Sequence, residues 1–185
     1  MTQVNSIKLE SSRLYLTPLT YDQMVWYKDF DRSLEKELGV LPGPRTLTDE
    51  FIVVVETSNL PYVKFNPEKI LFGTIWVIVH KEENIIIGDI GFKGAPSEKG
   101  LIEVGYSIYI EYRNKGFMTE ALNSLTHWAF QQPLVKIILA ETDKSNLASQ
   151  RTLTKSNFSP FAETDQNYWW RLDKDLSEIE TIAPR

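Results

Sequence analysis

The chain has no cysteine and only two histidines, His80 and His127. Without cysteine there are no disulfide bonds, thiol nucleophiles or thiolate metal sites, and a reducing compartment is the natural setting. The two histidines fall in different predicted elements and give no ligand spacing, so we expect no metal site. No apolar run approaches the roughly 20 residues of a membrane-spanning helix. The first twelve residues also lack the basic-then-apolar layout of a signal peptide. We therefore expect a cytoplasmic protein with no membrane partner.

Basic clusters are scarce as well. The chain carries 20 Lys and Arg against 25 Asp and Glu, a formal net charge of -5. This charge would repel nucleic acid, so we expect no nucleic-acid partner. It mildly favours a cationic partner, although solubility alone also explains it. With 185 residues, 42% of them hydrophobic, the chain is expected to form one domain over residues 1–185. Its core would span about 7–173, and the acidic tail 174–185 is expected to fray.

Three β-rich segments occupy the middle of the chain, at 71–80, 85–94 and 101–110. The short polar sequences "KEEN" and "APSEKG" separate them, which indicates an antiparallel meander. A strand at 13–19 and two helices at 20–30 and 31–39 are predicted before it. The segment 47–60 is ambiguous: Thr48 resembles a helix cap, whereas "FIVVV" has strand propensity. We favour a helix there.

After the meander, the pattern predicts a helix from about Asn114 to Gln131, a buried strand "VKIILAET", a helix "NLASQRTLTKSN" and a final hairpin. A strand, a helix and a second strand in this order favour a right-handed crossover, so the strands at 101–110 and "VKIILAET" should be parallel. The predicted fold class is α+β (α/β mixed), with a central mixed, mostly antiparallel sheet flanked by helices.

The sequence "YRNKGFMTEAL" at 112–122 lies where a predicted strand leads into a helix. The first turn of a helix has unpaired N–H groups, and the helix dipole adds positive charge there. Such a turn is a binding site for an anion, typically a phosphate. The alternative is an ordinary helix N-terminus with solvated Arg113 and Lys115.

The ordered motifs "RLYLTPL", "IIGDIGF", "EVGYSI", "RNKGFMTEAL" and "NLASQRTLTKSNF" resemble the GNAT family of acetyl-CoA-dependent N-acetyltransferases. The nearest branch is the one that includes RimJ and RimL, which acetylate the amino termini of ribosomal proteins. The resemblance covers about residues 7–173. It implies a sheet splayed at its centre, acetyl-CoA as co-substrate and no metal.

The resemblance also implies which residues bind the coenzyme. They are Ile108, Ile110, Arg113, Asn114, Lys115, Gly116, Phe117, Met118, Thr119 and Asn146. Met118 departs from the small residue usual in the family, so its side chain must point into the helix packing if the coenzyme is to bind. Gly105 lies mid-strand, which we interpret as the splay that admits the pantetheine arm. Packing against Trp76 or Trp128 is the alternative explanation.

Two residues are candidates for catalysis by the same resemblance. Glu103 matches a glutamate that removes a proton from the acceptor amine; alternatively, it is a carboxylate paired with a lysine or with solvent on the face of the sheet. Ser149 matches a serine that returns a proton to the leaving thiolate. Many family members use a tyrosine at the position of Leu153, and this chain lacks it. Asn146 either faces the sulfur or caps its helix.

The predicted function is the transfer of an acetyl group from acetyl-CoA to a primary amine, either a protein amino terminus or a small molecule. A non-catalytic CoA-binding regulatory module is the alternative, and a phosphate-binding protein outside the family is a third. Aromatic residues at 26, 27, 30 and 168–170 are candidates to line an acceptor pocket, although core packing explains them as well. A homodimer is plausible by analogy with the family.

Overall fold

The computed structural model describes residues 7–175, and within that range eight strands form one sheet in the order β1-β2-β3-β4-β5-β6-β8-β7. The strands are β1 (Leu9–Glu10), β2 (Leu14–Pro18), β3 (Ile75–His80), β4 (Ile85–Phe92), β5 (Leu101–Ile108), β6 (Ile137–Asp143), β7 (Ser159–Glu163) and β8 (Asn167–Asp173). The α-helices are α1 (Tyr21–Lys28), α2 (Ser33–Leu38), α3 (Asp49–Val54), α4 (Leu60–Phe65), α5 (Phe117–Phe130) and α6 (Leu147–Lys155). The mixed, mostly antiparallel sheet with flanking helices confirms the predicted fold class.

The meander predicted for the middle of the chain is present. β3, β4 and β5 are consecutive antiparallel neighbours, with Ile75 opposite Gly91 and Gly91 opposite Gly105. β2 pairs antiparallel with β3. The short strand β1, which no sequence pattern predicted, pairs with β2 at the edge of the sheet.

The first two helices begin and end where local signals place them. At the start of α1, the Thr20 hydroxyl accepts from the Gln23 amide, and the Gln23 side chain accepts from the Thr20 amide, at 3.3 and 2.9 Å. This reciprocal capping box satisfies two donors that the helix leaves free. α2 ends at Gly39, whose φ of 68° is the left-handed conformation that glycine adopts without a steric penalty.

The ambiguous segment 47–60 is helical, as favoured. The Thr48 hydroxyl accepts from the Phe51 amide at 3.2 Å and caps α3. A π-helical turn, Val55–Asn59, connects α3 to α4. Pro61 gives a reason for this turn, because proline has no N–H for the carbonyl four residues before it. The helix widens locally, so the Leu60 amide donates to the Val55 carbonyl.

The second half of the chain follows the predicted crossover. β5 and β6 are parallel, with Leu101 opposite Ile137, and α5 connects them. β8 then pairs antiparallel with β6, and β7 with β8. α5 begins at Phe117 and not at Asn114, because residues 113–116 form the turn that precedes it.

The sheet separates two helical layers. On one side Trp76 of β3 contacts Trp128 of α5, with ring centroids 5.1 Å apart, and Ala121, Leu122 and Leu125 are fully buried. On the other side the fully buried Tyr27 of α1 contacts Asp89 of β4 and Tyr109, the residue that follows β5. No helix within residues 7–175 is both long and apolar enough to cross a membrane. Most of the tail predicted to fray, residues 176–185, lies outside the described range.

Candidate active site

β5 and β6 separate part-way along their length. Their pairing ends at Glu103 opposite Leu139, whereas β5 continues to pair with β4 as far as Ile108. The Lys93 amide donates to the Glu103 carbonyl at 2.9 Å, so Glu103 directs its main chain towards β4. By alternation, Tyr106 and Ile108 direct theirs towards β6, which offers no strand partner there. This opening, called the gap below, is the predicted splay.

Gly105 lies at the edge of the gap, and its surroundings decide between the two explanations offered for it. A Cβ atom added to Gly105 would meet only the Lys93 Cε atom, at 4.0 Å. Gly105 pairs with Gly91, whereas Trp76 pairs with the adjacent Ile90. Neighbouring residues of a strand face opposite sides, so Gly105 and Trp76 lie on different faces. Packing against the tryptophans is excluded, and Gly105 leaves open space beside the gap.

The chain leaves β5 and enters α5 through the predicted anion-binding turn. Asn114 and Gly116 both have positive φ, 61° and 78°. Gly116 is the N-cap of α5, and no side chain caps this helix end. The first amides of α5 therefore face outward together with the positive end of the helix dipole. Because only glycine adopts this φ readily, the turn explains the glycine that the motif requires.

Side chains around this turn divide into two groups. Phe117 and Met118 are each 6% exposed and belong to the core, so Met118 points into the helix packing as the prediction required. Thr119 is half-buried. The exposed Arg113 donates to the Ile108 carbonyl at 3.3 Å, and the Lys115 ammonium lies 5.1 Å from the Tyr112 ring centroid. Both cations remain beside the turn.

Arg13 of the β1–β2 connection anchors the turn, and sequence reasoning did not find it. Its Nε donates to Glu120 Oε2 at 2.7 Å, and its Nη1 donates to the Lys115 carbonyl at 3.1 Å. Its main-chain amide and the Ser11 hydroxyl donate to Glu120 Oε1. Burial raises the pKa of Glu120, but these hydrogen bonds and the Arg13 charge outweigh it and lower the pKa overall. Glu120 therefore has a structural role.

Glu103 is the last residue of β5 that pairs with β6, and it shares a face with Gly105. Its Oε1 atom is buried and forms an ion pair with the ammonium of Lys93, a residue that the sequence did not single out. The side chain of Glu103 is 24% exposed and that of Lys93 is 58% exposed. The lysine-paired arrangement considered from the sequence is therefore present, at a position that still borders the gap.

Ser149 and Asn146 lie at the start of α6, on the other face of the sheet. Asn146 Oδ1 accepts from the Ser149 amide at 3.0 Å, so Asn146 caps the helix. The Ser149 hydroxyl is 2.7 Å from the hydroxyl of Tyr106 on β5. Burial raises the pKa of Tyr106 to about 12, opposed in part by this hydrogen bond. Leu153, at the position of the absent tyrosine, is fully buried.

The expectation for Ile110 needs a correction. The strand predicted over 101–110 ends at Ile108, and Ile110 begins a short 3-10 helix with 62% of its surface exposed. The Tyr109 ring is buried and its hydroxyl lies 2.7 Å from that of Tyr27. The Tyr112 amide then donates to the Tyr109 carbonyl and turns the chain. Ile110 is therefore not part of the strand edge.

A buried polar cluster lies on the Glu103 face and was not predicted. The Tyr27 hydroxyl donates to Asp89 Oδ2 at 3.0 Å and also contacts the Tyr109 hydroxyl. Burial raises the pKa of Asp89 to about 7, although the Tyr27 hydrogen bond acts in the opposite direction. A carboxylate inside the apolar strand "IIGDIGF" was the available signal. Tyr27 is thus a core residue, as is the 6% exposed Trp170.

These features match a known family. A family model described as an acetyltransferase (GNAT) domain matches residues 13–159. The chain belongs to the GNAT family. This GNAT chain is 32% identical over 152 residues to the uncharacterised N-acetyltransferase YjdG of Bacillus subtilis (strain 168), covering 82% of this chain and 89% of that protein. The predicted family and an acetyltransferase activity are confirmed.

Solved structures share the GNAT fold. The ribosomal-protein-S5-alanine acetyltransferase of Vibrio fischeri superposes with a TM-score of 0.68 at 18% identity, covering 92% of this chain and 98% of that one. RimL, a ribosomal L7/L12 α-N-protein acetyltransferase in complex with coenzyme A, gives 0.64 at 13% identity, covering 90% and 98%. At such identities the likeness shows the fold alone. RimL is one of the two proteins that define the branch to which the sequence motifs were compared.

Proposed function

We propose that this GNAT domain transfers the acetyl group of acetyl-CoA to a primary amine by direct attack in a ternary complex. One observation carries the proposal: the unpaired edge of β5 is followed, after the short connection 109–116, by the N-terminus of α5, which no side chain caps. An extended arm with amide groups fits along a strand edge that lacks a partner. A diphosphate fits at a helix N-terminus whose amides are free. The two sites together match the shape and charge of a coenzyme A thioester.

The coenzyme residues would act mainly through their main chain. The amides of Gly116, Phe117, Met118 and Thr119 would bind the diphosphate, because the Phe117 and Met118 side chains lie in the core. Arg113, Asn114 and Lys115 are exposed beside the turn, where the two cations add positive charge. Ile108 would flank the pantetheine arm through its strand edge, and the exposed Ile110 would lie just beyond it. Asn146 would contribute by holding the start of α6.

Glu103 would be the general base. Acetyl transfer needs a neutral amine, and at pH 7 only about one in seven α-amines or one in 2,500 lysine side chains is neutral. A positioned carboxylate that removes the proton contributes on the order of 10² to 10⁴ in rate. Glu103 borders the gap, and an incoming ammonium would replace that of Lys93 on its carboxylate. Main-chain N–H groups at the gap would stabilise the charge that develops on the thioester oxygen.

Ser149 would give the departing thiolate its proton. Its hydroxyl is hydrogen-bonded with the hydroxyl of Tyr106, in the part of β5 that borders the gap. The acceptor is a primary amine of either a protein amino terminus or a small molecule. The named activities of RimL and of the Vibrio fischeri protein favour testing ribosomal-protein amino termini first.

The test is an incubation with acetyl-CoA and a panel of amino-terminal peptides and small amines, followed by release of free thiol. Turnover with at least one amine is expected. Glu103→Gln should slow turnover on the order of 100-fold, most strongly at low pH, where the acceptor is protonated. Glu98→Gln, in the exposed β4–β5 loop, is the matched control. An unchanged pH profile in Glu103→Gln would remove its role as base.

Calorimetry separates the enzyme from the non-catalytic module. Binding of acetyl-CoA with no release of free thiol in the presence of any amine of the panel would favour the non-catalytic module.

A further inference from the structure

We propose that Tyr106 positions the Ser149 hydroxyl for proton donation to the leaving thiolate, replacing the tyrosine that position 153 lacks. The inference rests on the proposed acetyl transfer and gives a role to a residue of the "EVGYSI" motif to which the sequence analysis assigned none. Its basis is the contact between the Tyr106 and Ser149 hydroxyls, which are 2.7 Å apart. The two residues are 43 positions apart in the chain.

The contact spans the gap. Tyr106 lies three residues beyond Glu103, in the part of β5 that β6 does not pair with. Ser149 belongs to the first turn of α6, the helix that follows β6. The pair therefore connects β5, on one side of the gap, with the helix that follows β6, on the other side. A thioester bound in the gap would lie beside it.

The donor lies on the opposite face from the base. Successive residues of a strand alternate between faces, so Glu103 and Tyr106, three positions apart, project to different sides of the sheet. The ion pair of Glu103 with Lys93 and the contact of Tyr106 with α6 agree with this alternation. An amine that adds to the thioester carbonyl from the Glu103 side would leave the sulfur of the tetrahedral intermediate towards the opposite face, where Ser149 lies.

Either hydroxyl can be the donor in this hydrogen bond. In the proposed arrangement Tyr106 donates to the Ser149 oxygen, because a phenol is more acidic than an aliphatic alcohol. The hydrogen of Ser149 is then left free to point at the sulfur. The main chain of Ser149 is held in place because its N–H donates a hydrogen bond to Asn146 Oδ1 at 3.0 Å. Burial keeps Tyr106 protonated, since it raises the pKa of its phenol to about 12.

The protons balance over one turnover. The C–N bond forms as the C–S bond breaks, and the thiolate takes the Ser149 proton. Ser149 recovers a proton from Tyr106, and Tyr106 recovers one from solvent. The acceptor ammonium loses two protons, through Glu103 to water, so the net reaction releases one proton with the free thiol and the amide.

The test compares Tyr106→Phe, Ser149→Ala and their double variant with the wild type, using the acceptor that the amine panel identifies. Tyr106→Phe should lower kcat about 10-fold or more, with the KM for acetyl-CoA and the calorimetric affinity for CoA within about twofold of wild type. The double variant should be no slower than Ser149→Ala, because both changes remove one unit. Ser149→Thr keeps a hydroxyl and should retain turnover. Tyr15→Phe, a half-buried tyrosine on β2, is the matched control.

Three outcomes would overturn the inference: an unchanged kcat in Tyr106→Phe, multiplicative losses in the double variant, or equal losses in Ser149→Thr and Ser149→Ala. The last comparison applies even if Tyr106→Phe does not fold. Failure of the wild type to acetylate any amine would instead overturn the proposed function, and this inference with it.

Discussion

Replacing Asp89 with asparagine tests the buried cluster beneath the Glu103 face. Asp89 is 4% exposed and accepts a hydrogen bond from Tyr27 at 3.0 Å. Burial raises the pKa of Asp89 from 3.8 to about 7. Between these two values the folded state binds the proton and the unfolded state does not. The contribution of Asp89 to stability therefore falls as pH rises through this window, and the loss levels off above about pH 7.

The magnitude follows from the window. One pKa unit is worth about 1.36 kcal/mol, so the two units from pH 5 to pH 7 amount to about 3 kcal/mol. The asparagine of the variant would stay neutral at every pH, and its carbonyl oxygen would still accept the Tyr27 hydrogen bond. The unfolding free energy of Asp89→Asn, relative to wild type, should rise by about 3 kcal/mol between about pH 5 and about pH 8.5. For a urea slope near 2 kcal/mol/M, the midpoint difference is about 1.5 M.

Urea unfolding followed by circular dichroism at several pH values measures this difference. The protein concentration at pH 5 is kept in the micromolar range, because the sequence pI is about 5.2 and a protein with almost no net charge tends to precipitate. Asp165→Asn, an exposed residue of the β7–β8 turn, is the control and should show no such trend. Parallel pH curves for Asp89→Asn and wild type would refute the reasoning, since Asp89 would then ionise equally in both states.

Two further predictions concern the turn and a buried ion pair. Gly116→Ala places an alanine in the left-handed conformation, which costs about 1–2 kcal/mol of backbone strain. The new Cβ atom does not clash, since its nearest neighbour is Arg13 Nη2 at 3.5 Å. CoA affinity by calorimetry should fall about 10-fold; unchanged affinity would place the diphosphate elsewhere. Arg45→Met removes the buried 2.6 Å partner of Glu35. Glu35 keeps its 2.7 Å ion pair with Arg32, whose side chain is 54% exposed, so a loss of about 2 kcal/mol is expected in urea unfolding. The added change Glu35→Met should recover part of that loss, and a further loss would contradict the cause given.

Signals that depend on near neighbours were readable from the sequence. The capping box of Thr20 and Gln23, the glycine that ends α2 and the polar turns of the meander each act over a few residues. The glycine of the turn before α5 also belongs here, because its role depends on one φ angle. Local rules also limited the predictions: strand propensity continued through Ile110, where a buried tyrosine contact ends the strand.

The site's polar contacts were not readable in the same way. Arg13 and Glu120 are 107 residues apart in the chain, and Tyr27 and Tyr109 are 82 apart. No periodicity or spacing rule connects residues at such distances, since their contact depends on strand register and on the angle at which a helix packs. Asp89 is a partial exception, because a carboxylate in an apolar strand signals a buried partner without naming it.

The sequence alone thus determined the order of elements, the family and the positions of the turn, of Glu103 and of Ser149, because these follow from local propensity and ordered motifs. Tertiary structure alone decided which side chains meet at the site. Lys93 pairs with Glu103 and Tyr106 with Ser149 because strand register and the packing of α6 bring them together. Hydrogen bonds require atoms to lie within a few tenths of an ångström of ideal distance, and only the assembled sheet and helices provide that accuracy.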